Sequence, residues 1–246
     1  MKGVVHEAGI RMNGLARKLV AEVLGTALLL AVVVGSGIMG ERLAGGNVAI
    51  ALLANTLATG TGLAVLILTF GPVSGAHFNP AVTLAVAWQG GLSWRAVPGY
   101  IAAQVAGAFL GVAAAHGMFD LPVFLASTQV RTGMPQWFSE FVATFGLLAV
   151  IWACIRRHPG AMPYAVGAYI ASAYWFTAST SFANPAVTLA RAASDTFAGI
   201  RPADTPGFIV AQLAGAAAAT LLFAWLLPPA PQHIGAVAGS KGVPDR

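Results

Sequence analysis

One seven-residue motif occurs twice in this chain, and its residue types are suited to hydrogen-bonding chemistry. Asn-Pro-Ala-Val-Thr-Leu-Ala runs from Asn79 to Ala85 and returns 105 positions later, from Asn184. Proline suits the first position of a helix because its missing N–H would be unpaired there anyway. Asparagine is a good N-cap, and its side-chain amide also carries N–H donors. Each copy therefore predicts a helix that begins with a polar group able to bind a neutral oxygen atom.

No comparable pattern points to catalysis or to a metal. The sequence contains no GxSxG, phosphate-loop or zinc-protease motif, and it suggests no pair of nucleophile and base. The single Cys154 excludes an intramolecular disulfide and a cysteine-rich metal site. We therefore expect a protein that is not an enzyme, with no cofactor and no metal site.

The composition is that of a membrane protein. Hydrophobic residues make up 57% of the chain and charged residues only 9%, well below the roughly 25% usual in soluble domains. The net charge of +5 could suggest a nucleic-acid partner. The basic residues, however, stand at the ends of apolar runs, where they fit membrane orientation better. We expect the lipid bilayer as the partner, and no nucleic acid.

Six apolar segments approach the roughly 20 residues that a membrane helix needs. They are Leu19–Met39, Val48–Phe70, Ala96–Ala115, Trp137–Ile155, Met162–Ala178 and Gly207–Leu227. Two further stretches, Asn79–Trp88 and Asn184–Ala193, begin with the repeated motif and are too short to cross. We expect them to form half-helices that enter the membrane and stop.

The distribution of Lys and Arg predicts the orientation. With the N-terminus inside, nine of these residues lie on the inner side: Lys2, Arg11, Arg17, Lys18, Arg95, Arg156, Arg157, Lys241 and Arg246. Four lie on the outer side: Arg42, Arg131, Arg191 and Arg201. Because cytoplasmic segments carry an excess of Lys and Arg, we expect a multi-pass protein of the plasma or inner membrane with both termini in the cytoplasm.

The two halves of the chain are similar beyond the repeated motif. The segment AEVLGTALLLAVVVG is similar to SEFVATFGLLAVIWA, which aligns Glu22 with Glu140. The segment AQVAGAFLG is similar to AQLAGAAAA, which aligns Gln104 with Gln212. The order in both halves is a Glu helix, a second helix, an Asn-Pro half-helix and a Gln helix.

This order predicts one membrane domain, residues 1–246, built as an inverted repeat. Repeat 1 covers about 17–116 and repeat 2 about 135–227, with a connecting loop at about 117–134 and a flexible tail at 228–246. Each half has three spans, so the second half must insert upside down relative to the first. The predicted fold class is all-α, with six transmembrane helices and two re-entrant half-helices.

Inverted half-helices would bring their N-termini together from opposite faces of the membrane. Each N-terminus carries roughly half a positive charge from the helix dipole. The amides of Asn79 and Asn184 would then direct donors into one spot, which binds hydroxyl or water oxygen and repels cations and protons. The simpler interpretation is that Asn-Pro merely starts a helix. Two identical copies at matching places of a duplicated membrane chain favour the shared site.

At these residues the chain resembles the aquaporin, or major intrinsic protein, family. The resemblance runs from Arg17 to Leu227 and includes the segment SGAHFNPAVT and both Asn-Pro-Ala motifs. The motif residues are Asn79, Pro80, Ala81, Asn184, Pro185 and Ala186. The resemblance implies one pore per protomer, a homotetramer, and water and small neutral solutes as permeants.

The family's narrowest point is an outer ring of four residues, and here this chain departs from the water-specific pattern. Water-specific members place an aromatic residue, a histidine, a small residue and an arginine in the ring. Counting from the two motifs predicts a ring of Thr59, Ser172, Ser181 and Val187. If the short fifth span is shifted, Tyr174 or Trp175 takes the second place. The counted ring contains no aromatic residue, no histidine and no arginine.

A wide ring with hydroxyl groups suits glycerol-like polyols, urea and undissociated metalloid acids such as arsenous acid, and it still passes water. Selectivity in such pores depends on diameter, on the hydrogen-bonding groups of the wall and on electrostatic barriers. Two alternatives are a water-selective aquaporin whose ring is misaligned by the count, and a membrane scaffold that transports nothing.

Other polar residues in the apolar segments have expected roles. Arg191 stands one turn after Val187 and either guards the outer vestibule, pairs locally or extends to the membrane interface. The resemblance implies that Glu22 and Glu140 accept bonds from the re-entrant loops instead of relaying protons. Gln104 and Gln212 lie beside small residues, which indicates helix packing. His77 either bonds within its loop or senses pH.

Overall fold

The computed structural model describes residues 2–228, and the side chains of residues 14–228. The regular secondary structure of this range consists of helices, with eight α-helices and no strand. The helices are α1 Lys2–Leu43, α2 Val48–Ser74, α3 Pro80–Trp88, α4 Val97–Met118, α5 Met134–Arg157, α6 Met162–Phe176, α7 Pro185–Arg191 and α8 Thr205–Leu226. Two 3₁₀ turns, Pro159–Ala161 and Pro202–Asp204, precede α6 and α8. The predicted flexible tail lies outside the described residues, apart from Pro228.

Five stretches are long and apolar enough to cross a membrane. They are Gly14–Leu43, Val48–Ser74, Val97–Met118, Met134–Arg157 and Pro202–Leu226. Helix α6 has 15 residues, fewer than the roughly 20 that a spanning helix needs. The protein is therefore a multi-pass membrane protein, whose fifth predicted segment forms a shorter helix than the other five.

The two halves pack in the same way. Helix α1 packs against α2 and α4, and α5 packs against α6 and α8. A Cβ added at Gly107 in α4 would collide with the carbonyl oxygen of Val23 in α1. A Cβ at Gly215 in α8 would collide with the carbonyl oxygen of Phe141 in α5. Glycine thus lets both helix pairs approach to backbone contact, as small residues do in membrane proteins.

Helices α2 and α6 join the two halves. They cross at a second pair of glycines, where a Cβ on Gly60 would lie 2.9 Å from the carbonyl oxygen of Gly167. A Cβ on Gly167 would in turn collide with the carbonyl oxygen of Gly60. The contact between the halves is therefore as close as the contacts within them.

The two short helices begin at the repeated motif, as predicted. The Asn79 side chain accepts a hydrogen bond from Ala81 N at 2.9 Å, and the Asn184 side chain accepts one from Ala186 N at 3.0 Å. Proline occupies the first turn of both helices. Each short helix contacts α8 or α4 of the other half as well as the corresponding helix of its own half. Both short helices are therefore held between the halves.

Candidate functional site

A buried carboxylate of the first half holds the loop that leads into α3. Glu22 is fully buried and accepts hydrogen bonds from His77 N at 3.0 Å and from Phe78 N at 2.7 Å. Gln104 donates to Glu22 Oε2 at 2.8 Å and to Thr83 Oγ1 at 2.8 Å. Hydrogen bonds to a charged acceptor are among the strongest in proteins. Glu22 and Gln104 together connect α1, the loop, α3 and α4.

The second half repeats this arrangement. Glu140, also fully buried, accepts from Phe182 N and Ala183 N, both at 2.8 Å. Gln212 donates to Glu140 Oε2 at 2.6 Å and to Thr188 Oγ1 at 2.9 Å. The carboxylate is engaged by backbone and amide donors, and it anchors the loop before α7.

The two loops share an uncommon backbone conformation. Ala76 and Phe78 have φ angles of 50° and 49°, and Ser181 and Ala183 have φ angles of 50° and 48°. The residues of the second loop follow their counterparts in the first loop by 105 positions, which is also the distance between the two motifs. Non-glycine residues rarely adopt positive φ, and such strain persists only where the surroundings over-determine it. In both loops, the hydrogen bonds from backbone N–H groups to the buried carboxylate hold the backbone in this conformation.

The motif asparagines cross-link the two loops. Asn79 Nδ2 donates to the carbonyl oxygen of Ala183, and Asn184 Nδ2 donates to the carbonyl oxygen of Phe78, both at 2.7 Å. A side-chain amide nitrogen carries two N–H groups. One is used in the cross-link, and the second is available to a bound molecule.

Both asparagines line a cavity of about 260 Å³. One face of each short helix forms part of its wall. These faces are the N-cap Asn79 with Val82 and Val86 of α3, and the N-cap Asn184 with Val187 and Arg191 of α7. The remaining wall is largely apolar and includes Leu63, Ile67, Ile151 and Val166. Besides the two asparagines, the polar side chains of the wall include His77 and Arg191.

Three residues with hydroxyl groups line the same cavity as Val187. Thr59, Tyr174 and Ser181 all line the cavity, and each is at most 4% exposed. Tyr174 Oη donates to Thr59 Oγ1 over 3.4 Å, and Ser181 Oγ has no hydrogen-bond partner among the described residues. Thr59, Ser181 and Val187 therefore line the same cavity.

Ser172 is not part of this group, which corrects the predicted ring. Its side chain is exposed, and its hydroxyl donates to the carbonyl oxygen of Tyr169. Tyr174, the alternative for this place if the fifth span is shifted, lines the cavity, whereas Ser172 does not. Two residues along an α-helix correspond to a rotation of about 200°, so an error of two positions moves a residue to the opposite face. The wall near Val187 therefore contains an aromatic ring that the counted ring lacked.

Arg191, close to Tyr174, also lines the cavity and is buried, with 3% of the residue exposed. Its Nε donates to the carbonyl oxygen of Ala198, and its guanidinium carbon lies 3.4 Å from the ring centroid of Phe182. Arg131 lies over the same ring at 5.1 Å, and its Nε donates to Gly199 O at 2.8 Å. Burial lowers the pKa of Arg131, and the nearby Glu140 carboxylate opposes this effect.

The sequence interpretation missed Phe182, which lines the cavity, and Arg131, which contacts the Phe182 ring but does not line the cavity. Phe182 stands 105 positions after His77, so the internal repeat gave the two residues matching positions and could have drawn attention to Phe182. His77 lines the cavity and its Nδ1 lies 3.1 Å from Thr83 Oγ1. Arg131 belongs to the segment between α4 and α5, which carries no repeat signal.

Comparison with known proteins agrees with this architecture. The family model described as "Major intrinsic protein" matches residues 10–180. Aquaglyceroporin AqpS of Rhizobium meliloti (strain 1021) is 59% identical over 216 residues, which are 88% of this chain and 92% of that protein. Aquaporin NIP1-3 of Oryza sativa subsp. japonica is 38% identical over 140 residues, covering 55% of this chain and 47% of that protein.

A solved structure shares the fold. The X-ray structure of the aquaglyceroporin from Plasmodium falciparum matches with a TM-score of 0.64 at 23% sequence identity, covering 86% of this chain and 95% of that one. Paired short helices capped by asparagine, a duplicated carboxylate anchor and the family-model match lead to one conclusion. The chain belongs to the major intrinsic protein family, whose aquaglyceroporin members are membrane channels and not enzymes.

Proposed function

We propose that this protein is a passive transmembrane channel for water and small neutral solutes. The expected solutes are glycerol-like polyols, urea and undissociated metalloid acids such as arsenous acid. The observation that carries the proposal is the cavity between the two halves, where Asn79 and Asn184 place amide groups in a largely apolar wall. A relative at 59% identity is an aquaglyceroporin, which supports the same class of permeants.

In this proposal α3 and α7 are the two re-entrant half-helices, and the other six helices span the membrane. The 3₁₀ turn Pro159–Ala161 lengthens the short α6 at its start. The N-termini of α3 and α7 meet near the centre of the bilayer, because each capping asparagine bonds to the loop of the other half. Two positive helix ends at one point disfavour cations, whereas the amide donors bind a neutral oxygen.

The outer wall is formed by Thr59, Tyr174, Ser181 and Val187. It offers three hydroxyl groups and has neither histidine nor arginine at these four positions. Hydroxyl groups can replace part of the hydration shell of a solute that carries several oxygen or nitrogen atoms. Such a wall favours polyols, urea and uncharged oxyacids over a pore that admits water alone.

A water-selective channel is the second candidate, because Tyr174 lines the cavity. A tyrosine ring is much bulkier than the serine expected at this place, and it narrows the outer wall. The two candidates differ in pore diameter and share the rest of the architecture.

The assembly and the orientation are also part of the proposal. The family resemblance supports a homotetramer with one pore in each protomer. The excess of Lys and Arg in the predicted inner segments supports cytoplasmic N- and C-termini in the plasma or inner membrane.

Stopped-flow light scattering from proteoliposomes tests the function. We expect vesicles with the protein to swell in glycerol, urea and arsenous acid faster than empty vesicles, and to pass water. Water flux without solute flux would favour the water-selective candidate. A flux equal to that of empty vesicles would overturn the channel function and favour a membrane scaffold.

A further inference from the structure

The two cavity-lining helix faces correspond position by position, except at one place. The N-cap Asn184 and Val187 of α7 repeat the N-cap Asn79 and Val82 of α3. At the next position of the same face, α3 has Val86 and α7 has Arg191, and both line the cavity. The outer half of the duplicated wall therefore carries a charge where the inner half carries an apolar side chain.

The charge of Arg191 is not used in an ion pair. Among residues 14–228 the one salt bridge joins Arg201 and Asp204. The nearby carboxylate of Glu140 is engaged by Phe182 N and two further N–H donors. The structure gives neither Nη nitrogen of Arg191 a hydrogen bond to any residue in this range, and those nitrogens are not among its fully buried unpaired atoms. They are free to face a molecule in the cavity.

The side chain is nevertheless held in a defined place. Its Nε donates to the Ala198 carbonyl oxygen, and its guanidinium plane lies over the Phe182 ring. An arginine that stacks on an aromatic ring and uses one donor for its backbone anchor keeps its other donors pre-organised. Phe182 and the Ala198 carbonyl oxygen act as positioning groups for the charge.

We propose that Arg191 is the charge barrier of the outer pore, placed one helical turn further out than Val187. Four residues of α-helix correspond to about 6 Å along the axis. The barrier therefore leaves a chamber between itself and the asparagines, walled by the hydroxyl groups of Thr59, Tyr174 and Ser181. The pore rejects cations and protons at Arg191, and neutral solutes bind to the hydroxyl groups of the chamber behind it. This inference rests on the proposed channel function.

Two measurements on the same proteoliposomes test it. The first is glycerol swelling, and the second is the leak of protons under a potassium diffusion potential, read with a pH dye inside the vesicles. Replacing Arg191→Gln removes the charge and keeps a donor for Ala198. We expect the leak to rise roughly tenfold to a hundredfold, as Coulomb repulsion between unit charges several ångströms apart near a protein surface implies. Glycerol swelling should be retained.

Three variants serve as controls. Arg191→Lys keeps the charge and should show the same low proton leak as the wild type. Arg131→Gln removes an equal charge near the same ring, but Arg131 does not line the cavity, so this variant should also remain tight. The exchange variant Val187→Arg with Arg191→Gln moves the charge back one turn. This variant should restore the low proton leak and reduce the rate of glycerol swelling, because the arginine then occupies the chamber.

The possible results separate the two proposals. If wild-type vesicles do not swell, the channel function is wrong. If they swell and a folded Arg191→Gln protein is as tight as wild type, only the role of Arg191 is wrong. An equal leak in Arg131→Gln would also overturn it, since position in the pore would then not matter. Should Arg191→Gln fail to fold, a leaking but folded Arg191→Lys protein overturns the proposal, and a tight one supports it.

Discussion

Ser181 and Ser172 are two serines that the sequence places in the same ring, and the structure gives them different surroundings. Ser181 Oγ is buried without a protein partner and lines the cavity. Ser172 is exposed and is bonded to its own helix. A buried hydroxyl without a partner contributes little to the stability of the fold, and in a residue that lines the cavity we expect it to serve the permeant.

Ser181→Ala should therefore change flux and leave stability unchanged. We expect the free energy of unfolding to stay within about 0.5 kcal/mol of wild type. Glycerol flux should fall about twofold to tenfold, the effect of one hydrogen bond of roughly 0.5–1.5 kcal/mol. Thermal unfolding in detergent and light scattering measure the two quantities. Ser172→Ala is the matched control and should alter neither; a larger flux loss in the control would restore Ser172 to the pore.

Val187 sets the width of the chamber in the proposed channel. Val187→Arg should reduce glycerol and arsenous acid flux by roughly tenfold or more while water flux falls less, because a long charged side chain narrows the wall and water is the smallest permeant. Val187→Leu adds bulk without charge and separates the two causes. Equal loss of water and solute flux in Val187→Arg would mean that Val187 does not line the narrowest part.

At the level of elements, the sequence predicts helices better than it predicts which side of a helix faces the cavity. All eight predicted segments correspond to helices in residues 2–228, and both short helices start where Asn-Pro indicated. Proline and an asparagine cap determine a helix start locally. The rotation of α6 is different, because it depends on the path of the non-helical segment 177–184 and on packing against α2. That is why counting selected Ser172 instead of Tyr174.

The close approach of α1 and α4 gives a prediction at this scale. Gly107→Ala places a Cβ against the Val23 carbonyl oxygen, and overpacking of this kind costs about 1–3 kcal/mol. Gly117 lies in the same helix with no atom near its added Cβ, so Gly117→Ala should keep or slightly raise the stability. The melting temperatures of the two variants in one detergent measure the difference. Equal melting temperatures would show that α4 can move away from α1 at no cost.

For the whole molecule, the proposed orientation can be tested with introduced cysteines. Leu43 ends α1 and is largely exposed, and Gly160 lies in the turn between α5 and α6. With Cys154 replaced by alanine, Leu43→Cys should react with a membrane-impermeant maleimide in intact cells. Gly160→Cys should react only after lysis. The opposite pattern would mean that the termini are outside.

The internal repeat explains how much of the site was readable from one sequence. The internal alignment identified four buried polar residues, because each has a counterpart of the same type in the other half. They are Glu22, Glu140, Gln104 and Gln212. Arg191 and Tyr174 differ from the residues at the matching positions of the first half, so the repeat could mark their positions but not their roles. Arg131 has no counterpart, and its contacts depend on how the segment between α4 and α5 folds over α7.

The reciprocal bonds of Asn79 and Asn184 have a mechanical consequence. Each asparagine is fastened to a carbonyl group supplied by the opposite half of the chain. A change of pore width at this level would break both hydrogen bonds together and disturb the strained loops that precede α3 and α7. We therefore expect the middle of the pore to keep a fixed width. A gate that opens and closes is therefore expected nearer one of the two ends of the pore, where Val86 and Arg191 lie.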